Sequence, residues 1–165
     1  MTTRSIVTRV LAILAVFTAP HFAPAQIGMD TPAKPKAYVL YTAEPQTVPA
    51  GKPGVLELRF HLVPGYHVNS HTPKTEYLIP TALTLMPASG VKPGDLAYPP
   101  GKLFSFSFDP SEKVDVYEGS FTIRLPVVAT PGDHTMDATL KYQACDNAAC
   151  YPPRTLPVKV IFTAK

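Results

Sequence analysis

In stretch after stretch of this chain, apolar side chains occupy every second position. Leu56, Leu58, Phe60 and Leu62 alternate with Glu57, Arg59 and His61. Leu83 and Leu85 flank Thr84, and Phe104, Phe106 and Phe108 are separated by Ser105 and Ser107. The same period runs through Phe121, Ile123 and Leu125, through Met136, Ala138, Leu140 and Tyr142, and through Leu156, Val158 and Val160. A period of two is what a strand with one buried face imposes, because successive side chains point to opposite sides of a sheet. Turn formers stand between the stretches, among them Pro64-Gly65, Pro99-Pro100-Gly101, Glu118-Gly119 and Pro131-Gly132. Proline is the second constraint. Twenty prolines in 165 residues remove backbone donors and clash with any helical turn before them. No ten-residue segment carries a 3.6-residue apolar period, which argues against a helical bundle.

About seven to nine short strands in roughly 130 residues predict an all-β fold, an immunoglobulin-like two-sheet β-sandwich. Pro126 within Phe121–Ala129 predicts an edge strand or a bulge there, since proline cannot donate to a ladder. The N-terminus reads differently. Arg4 and Arg9 precede an apolar run from Val10 to Phe17, and Ala23-Pro24-Ala25 offers the small-x-small pattern of a signal peptidase site. The expected organisation is a signal peptide at 1–25, an extended leader at 26–36 and one domain at 37–165. Export implies a periplasmic or secreted location where disulfides persist. No later run approaches the ~20 apolar residues of a membrane helix, so no membrane insertion is expected after cleavage.

A formal net charge of +3, with basic and acidic residues interspersed, lacks the clustered basic patch that nucleic acid requires. His61, His67 and His71 are near one another in sequence, yet with Cys-x4-Cys they lack the spacing of a metal site. Neither a metal nor another cofactor is expected. No Ser/His/Asp grouping or phosphate loop stands out.

The chain has two cysteines, Cys145 and Cys150. Asp146-Asn147-Ala148-Ala149 between them reads as a hairpin loop. Opposed strand positions lie ~4.5–5.5 Å apart at Cα, within reach of a disulfide. One reading is a structural staple in a non-enzymatic sandwich module that binds protein through an open face. The other is a redox couple. Closing so short a loop contributes only ~2 kcal/mol in the chain-entropy model. Counting on from Met136, Ala138, Leu140 and Tyr142 places Cys145 with Lys141 and Gln143, away from the core. The pair is therefore expected to be peripheral and accessible, as a redox couple must be. Asp146 beside Cys145, with no helix N-terminus nearby, disfavours a thiolate there, so the pair should react mainly with a docked partner.

Tyr142-Gln143-Ala144-Cys145 followed by Cys150-Tyr151-Pro152-Pro153 resembles the active-site hairpin of the N-terminal periplasmic domain of DsbD-type thiol:disulfide interchange proteins. Pro64-Gly65-Tyr66-His67-Val68-Asn69-Ser70 is similar to that domain's aromatic strand, and Val116-Tyr117-Glu118-Gly119 to the segment after its cap loop. The cysteine spacing is one residue shorter than in the family's best-known member. The resemblance implies an immunoglobulin-like sandwich that passes reducing equivalents to thioredoxin-fold periplasmic proteins. It gives Cys150 the attack on the partner and Cys145 the resolving role. It further implies an aromatic cap over the pair, for which Phe108 is the first candidate and Phe106 the second. Phe104 is expected on a core face instead. His67 and Asn69 align with residues lining the family's site, although a solvated strand face would suit them equally. Tyr151, beside the second cysteine, joins the expected lining. The family's membrane-embedded and C-terminal thioredoxin-like parts have no counterpart in the sequence, so a separate membrane electron donor is expected.

Overall fold

The computed structural model describes residues 35–74, 77–106 and 109–165, and among these the alternating stretches become twelve strands with no helix. The expected signal peptide, most of the expected leader and the cap candidate Phe108 lie outside the described residues. The strands, numbered in chain order, form three four-stranded sheets. The first holds β1 (Val39–Tyr41), β3 (Gly54–Leu62), β9 (Ser120–Ala129) and β6 (Val91–Pro93), in that spatial order. The second holds β2 (Gln46–Val48), β12 (Arg154–Ala164), β10 (Gly132–Tyr142) and β5 (Ala82–Leu85). The third holds β11 (Ala144–Cys145), β4 (His67–Asn69), β8 (Asp109–Glu118) and β7 (Lys102–Phe106). Every pairing is antiparallel except that of β2 with β12. The fold is an all-β, immunoglobulin-like sandwich with an added third sheet.

The long strands do what their period dictates. Leu56, Leu58, Phe60, Ile123 and Leu125 of the first sheet share one buried cluster with Met136, Leu140, Val158 and Val160 of the second. Phe60 stacks on Phe121 with ring centroids 5.1 Å apart. The outward positions between them carry polar groups such as Arg59, Glu57 and Arg124, which form exposed ion pairs. This is the alternation of a half-buried antiparallel sheet.

The third sheet is buried on both faces. Val68, Tyr117 and Ala144 pack into the main cluster. Val114, Val116 and Cys145 belong to a second cluster with Leu78 and Phe106, against which Phe104 is partly buried. Phe104 therefore does not enter the main core that its alternation suggested. Strands of two or three residues, as in β11 and β4, are too short to announce themselves by period, so the third sheet goes beyond the strand count expected from sequence.

Pro126 is not on an edge strand. β9 lies between β3 and β6, with Pro126 opposite Val55 and no register shift. In an antiparallel ladder one residue directs both its N–H and its C=O to the same neighbour. The Pro126 carbonyl accepts from Gly94 N–H at 2.8 Å, on the side where β6 ends at Pro93. The missing donor faces that open end, and no bond to β3 is lost. At the other end of β9, Gly119 turns the chain from the third sheet into the first with φ of +64°, a conformation that strains any residue with a Cβ. It fixes Glu118 at the end of β8.

Candidate functional site

The site begins where β10 stops. Tyr142 is the last residue paired with β12, opposite Arg154. Gln143 then hands the chain to β4. Its carbonyl accepts from Asn69 N–H at 3.3 Å. Its side-chain Oε1 accepts from Asn69 Nδ2 at 3.0 Å and from Ile79 N–H at 3.2 Å. Asn69 Nδ2 also donates to the Ile79 carbonyl at 3.0 Å. Ala144 and Cys145 continue as β11, opposite Val68 and His67.

This change of sheet corrects the expectation that Cys145 is accessible. Parity counted along β10 does not carry past Gln143, because the strand then acquires a new neighbour on a sheet covered on both sides. Cys145 is 0% exposed. Cys150, by contrast, is exposed and pairs only through an isolated bridge to Cys145. The two are joined by a disulfide, with Cα atoms 4.0 Å apart. Tyr151 N–H donates to the Ala144 carbonyl at 2.8 Å and Asp146 N–H to the Ala149 carbonyl at 3.0 Å. The cysteines between these bonds form the non-hydrogen-bonded kind of pair, which brings opposed residues closest.

Asp146 organises the loop, a role not read from the sequence. Its Oδ1 accepts from the N–H groups of both Ala148 and Ala149 at 2.8 Å. Its Oδ2 accepts from the Tyr151 hydroxyl. That hydrogen bond, with burial and the carboxylate charge behind it, pushes Tyr151 up to about 12. An aspartate opening a tight loop is the available signal, because its short carboxylate reaches amides two and three residues on. Tyr151 stacks on Tyr38 at 5.1 Å, Tyr66 tilts against Tyr38 at 4.7 Å, and the Arg154 guanidinium lies 4.4 Å from the Tyr38 ring centroid. These contacts hold the exit of the loop against the sandwich.

His67 and Asn69 do not form a solvated face; they are 3% and 0% exposed. The His67 ring lies 4.1 Å from that of Phe104 and 5.7 Å from that of Phe106, and these two phenylalanines meet edge to face at 5.3 Å. His67 stands between Cys145 on β11 and Glu118 on β8, directly opposite each. Burial lowers its affinity for a proton, opposed by the charges of Glu118 and Asp146. Its Nε2 is buried with no hydrogen-bond partner among the described residues. A groove of about 380 Å³ opens beside the loop, lined by Tyr66, His67, Phe104, Glu118 and Asn147 among others. Thus His67, Phe106 and Tyr151 are gathered around the cysteine pair, and Asn69 secures the strand beneath it. Among the described residues no group of three or more His, Cys, Asp or Glu is arranged to hold a metal ion.

The chemistry open to this arrangement is the interconversion of one disulfide and two thiols. Comparison with known proteins agrees in kind. The model of a family described as thiol:disulfide interchange protein DsbD, N-terminal, matches residues 37–161. The N-terminal domain of DsbD from Neisseria meningitidis in the reduced form is 18% identical, with a TM-score of 0.43, over 66% of this chain and 81% of that one. The N-terminal periplasmic domain of ScsB from Proteus mirabilis is 12% identical, with a TM-score of 0.50, over 74% of this chain and 44% of that one. This chain therefore spans less than half of the ScsB chain, and the likeness is one of fold. No curated protein sequence matches.

Proposed function

The chain belongs to the family of DsbD N-terminal thiol:disulfide interchange domains, and on that premise we propose that it is an exported electron relay acting through Cys145 and Cys150. In the reduced protein the Cys150 thiolate attacks the disulfide of a thioredoxin-fold partner. One partner sulfur leaves as a thiol, and a mixed disulfide forms. Cys145 then attacks the Cys150 sulfur and displaces the partner's second sulfur. The Cys145–Cys150 bond closes, and the partner departs as a dithiol carrying two electrons.

The unequal exposure of the two cysteines carries this reading. Cys150 is open to a docking partner, and Cys145 is held out of solvent until the attack has been made. Phe106, packed in one cluster with Cys145, serves as apolar cover if Phe108, the first cap candidate that the resemblance implies, does not. His67 and Tyr151 line the approach. The 1–25 segment directs export to the periplasm, residues 26–36 form a leader, and 37–165 make the working domain. Among the described residues no helix is long and apolar enough to cross a membrane. Electrons reach the pair from a membrane-embedded donor.

A redox titration tests the reading. A relay couple is poised near its partners, whereas a purely structural bond resists the glutathione pool with a potential below about −300 mV. A potential well below that line would make the protein a sandwich module with a stapled hairpin.

A further inference from the structure

Three chemically active side chains stand in one row across the third sheet. Cys145 is opposite His67, and His67 is opposite Glu118. Residues directly opposite each other share a sheet face, so the imidazole stands between the buried sulfur and the carboxylate. Asn69 and Gln143 are hydrogen-bonded through Asn69 N–H and the Gln143 carbonyl. Two residues along the ladder, Cys145 and His67 occupy the same kind of pair, with Cα atoms about 5.5 Å apart. Both border Phe106.

The orphaned nitrogen is the second observation. A buried polar atom without a partner costs free energy, and such atoms are few in folded proteins. Among the described residues His67 Nε2 has no partner while Cys145 is in the disulfide. Reduction creates a donor in its neighbourhood, the Cys145 S–H. A buried nitrogen without a partner, across the ladder from a sulfur that becomes a thiol on reduction, suits a group that receives this proton.

We propose that His67 accepts the proton of Cys145 as Cys145 closes the disulfide. The proposal rests on the relay reading and adds a residue to its second step. Cys145 S–H gives its proton to His67 Nε2, and the sulfur's electron pair attacks Cys150. The Cys150–partner S–S bond breaks, its electrons leave with the partner sulfur, and the imidazolium then loses the proton to solvent through the groove that His67 and Glu118 line. Cys145 is 0% exposed, so an imidazole across the ladder is better placed than bulk water to take its proton. Glu118 from β8 and Asp146 from the disulfide loop favour the imidazolium that forms, and burial opposes it. The neutral imidazole is therefore the resting form at neutral pH. General acid–base catalysis of this kind contributes typically ~10²–10⁴-fold.

The experiment uses the full reduced chain and a small aromatic disulfide, dithionitrobenzoate, whose coloured thiolate is released twice. The first release reports attack by Cys150, and the second reports closure by Cys145. For His67→Gln the second phase should slow at least ~10-fold at neutral pH, while the first stays within about two-fold. The wild-type second phase should rise with pH through an imidazole midpoint below the ordinary ~6.5 of histidine, and the variant should lose that rise. Should His67→Gln fail to fold, His67→Phe fills the same apolar site and is expected to show the same slow closure. A second readout needs no variant: the His67 ring titration, followed by NMR, should differ between oxidised and reduced protein. Unchanged second-phase rates and pH profile in a folded variant would overturn the proposal, as would identical His67 titration in the two redox states. Failure of the wild type to exchange with any thioredoxin-fold protein while both colour phases remain would sink the relay reading and leave the role of His67 intact.

Discussion

The sandwich core and the outer face of the third sheet bury side chains by different rules. In the core, β3, β9, β10 and β12 are nine to eleven residues long, and each follows a strict inside–outside alternation. Around the disulfide, β4 and β11 have three and two residues, and consecutive positions are buried on opposite faces. The core spreads its stability over many interchangeable apolar contacts. The site concentrates chemistry on a few residues, each held by a named partner: Cys145 by Cys150, Asn69 by Gln143, Tyr151 by Asp146. A sandwich can therefore carry a reactive pair on an added sheet without placing that pair in its own core.

The largest expected effect belongs to the core. Phe60→Ala removes a fully buried ring stacked on Phe121 and should cost about 3–5 kcal/mol, read as a fall in the denaturation midpoint. Phe106→Ala, in the smaller cluster, should cost about 3 kcal/mol, at the low end of that range. It should, however, speed reduction of the disulfide by dithiothreitol severalfold, which Phe60→Ala should not do. If both changes altered stability and reduction rate alike, the two regions would be one.

Reducing the disulfide comes next. The cysteines are five apart in sequence, so closure of that loop contributes about 2 kcal/mol. Denaturation with and without reductant should differ by roughly that amount, and the reduced protein should remain folded. Unfolding on reduction would make the bond a structural requirement of the sandwich.

The smallest effect concerns Asp146. Replacing it by Asn removes the carboxylate that holds the Tyr151 proton, so the Tyr151 midpoint should fall from about 12 toward the ~10 of an ordinary tyrosine. A group whose proton is held more tightly in the folded state stabilises fully below its unfolded value. That contribution is lost as pH rises through the window from about 10 to about 12. NMR titration of the Tyr151 ring in wild type and Asp146→Asn reads the shift directly. An unchanged midpoint would remove Asp146 from its organising role.

The same contrast explains what could be read in advance. Leu56, Leu58, Phe60, Ile123, Leu125 and Leu140 lie inside where their alternation places them, because long strands keep one face on one core. Cys145 does not, because Gln143 moves the chain to another sheet and no composition signal marks that transfer. His67 and Asn69 belong to a strand too short to show that both its faces are covered. Pro126 obeys its chemistry, but its consequence depended on where β6 ends. The bond between the cysteines is visible in their spacing; the complete burial of Cys145 arises from tertiary packing.

The unequal exposure of the two cysteines is the central claim, and single-cysteine variants test it most directly. Cys145→Ala leaves the exposed Cys150 without a resolving thiol. With an oxidised thioredoxin-fold protein it should accumulate a mixed disulfide through Cys150, visible on non-reducing gels and located by mass spectrometry. Cys150→Ala leaves a thiol buried under Phe106 and should trap little. Equal trapping by both variants, or trapping chiefly through Cys145, would contradict the account.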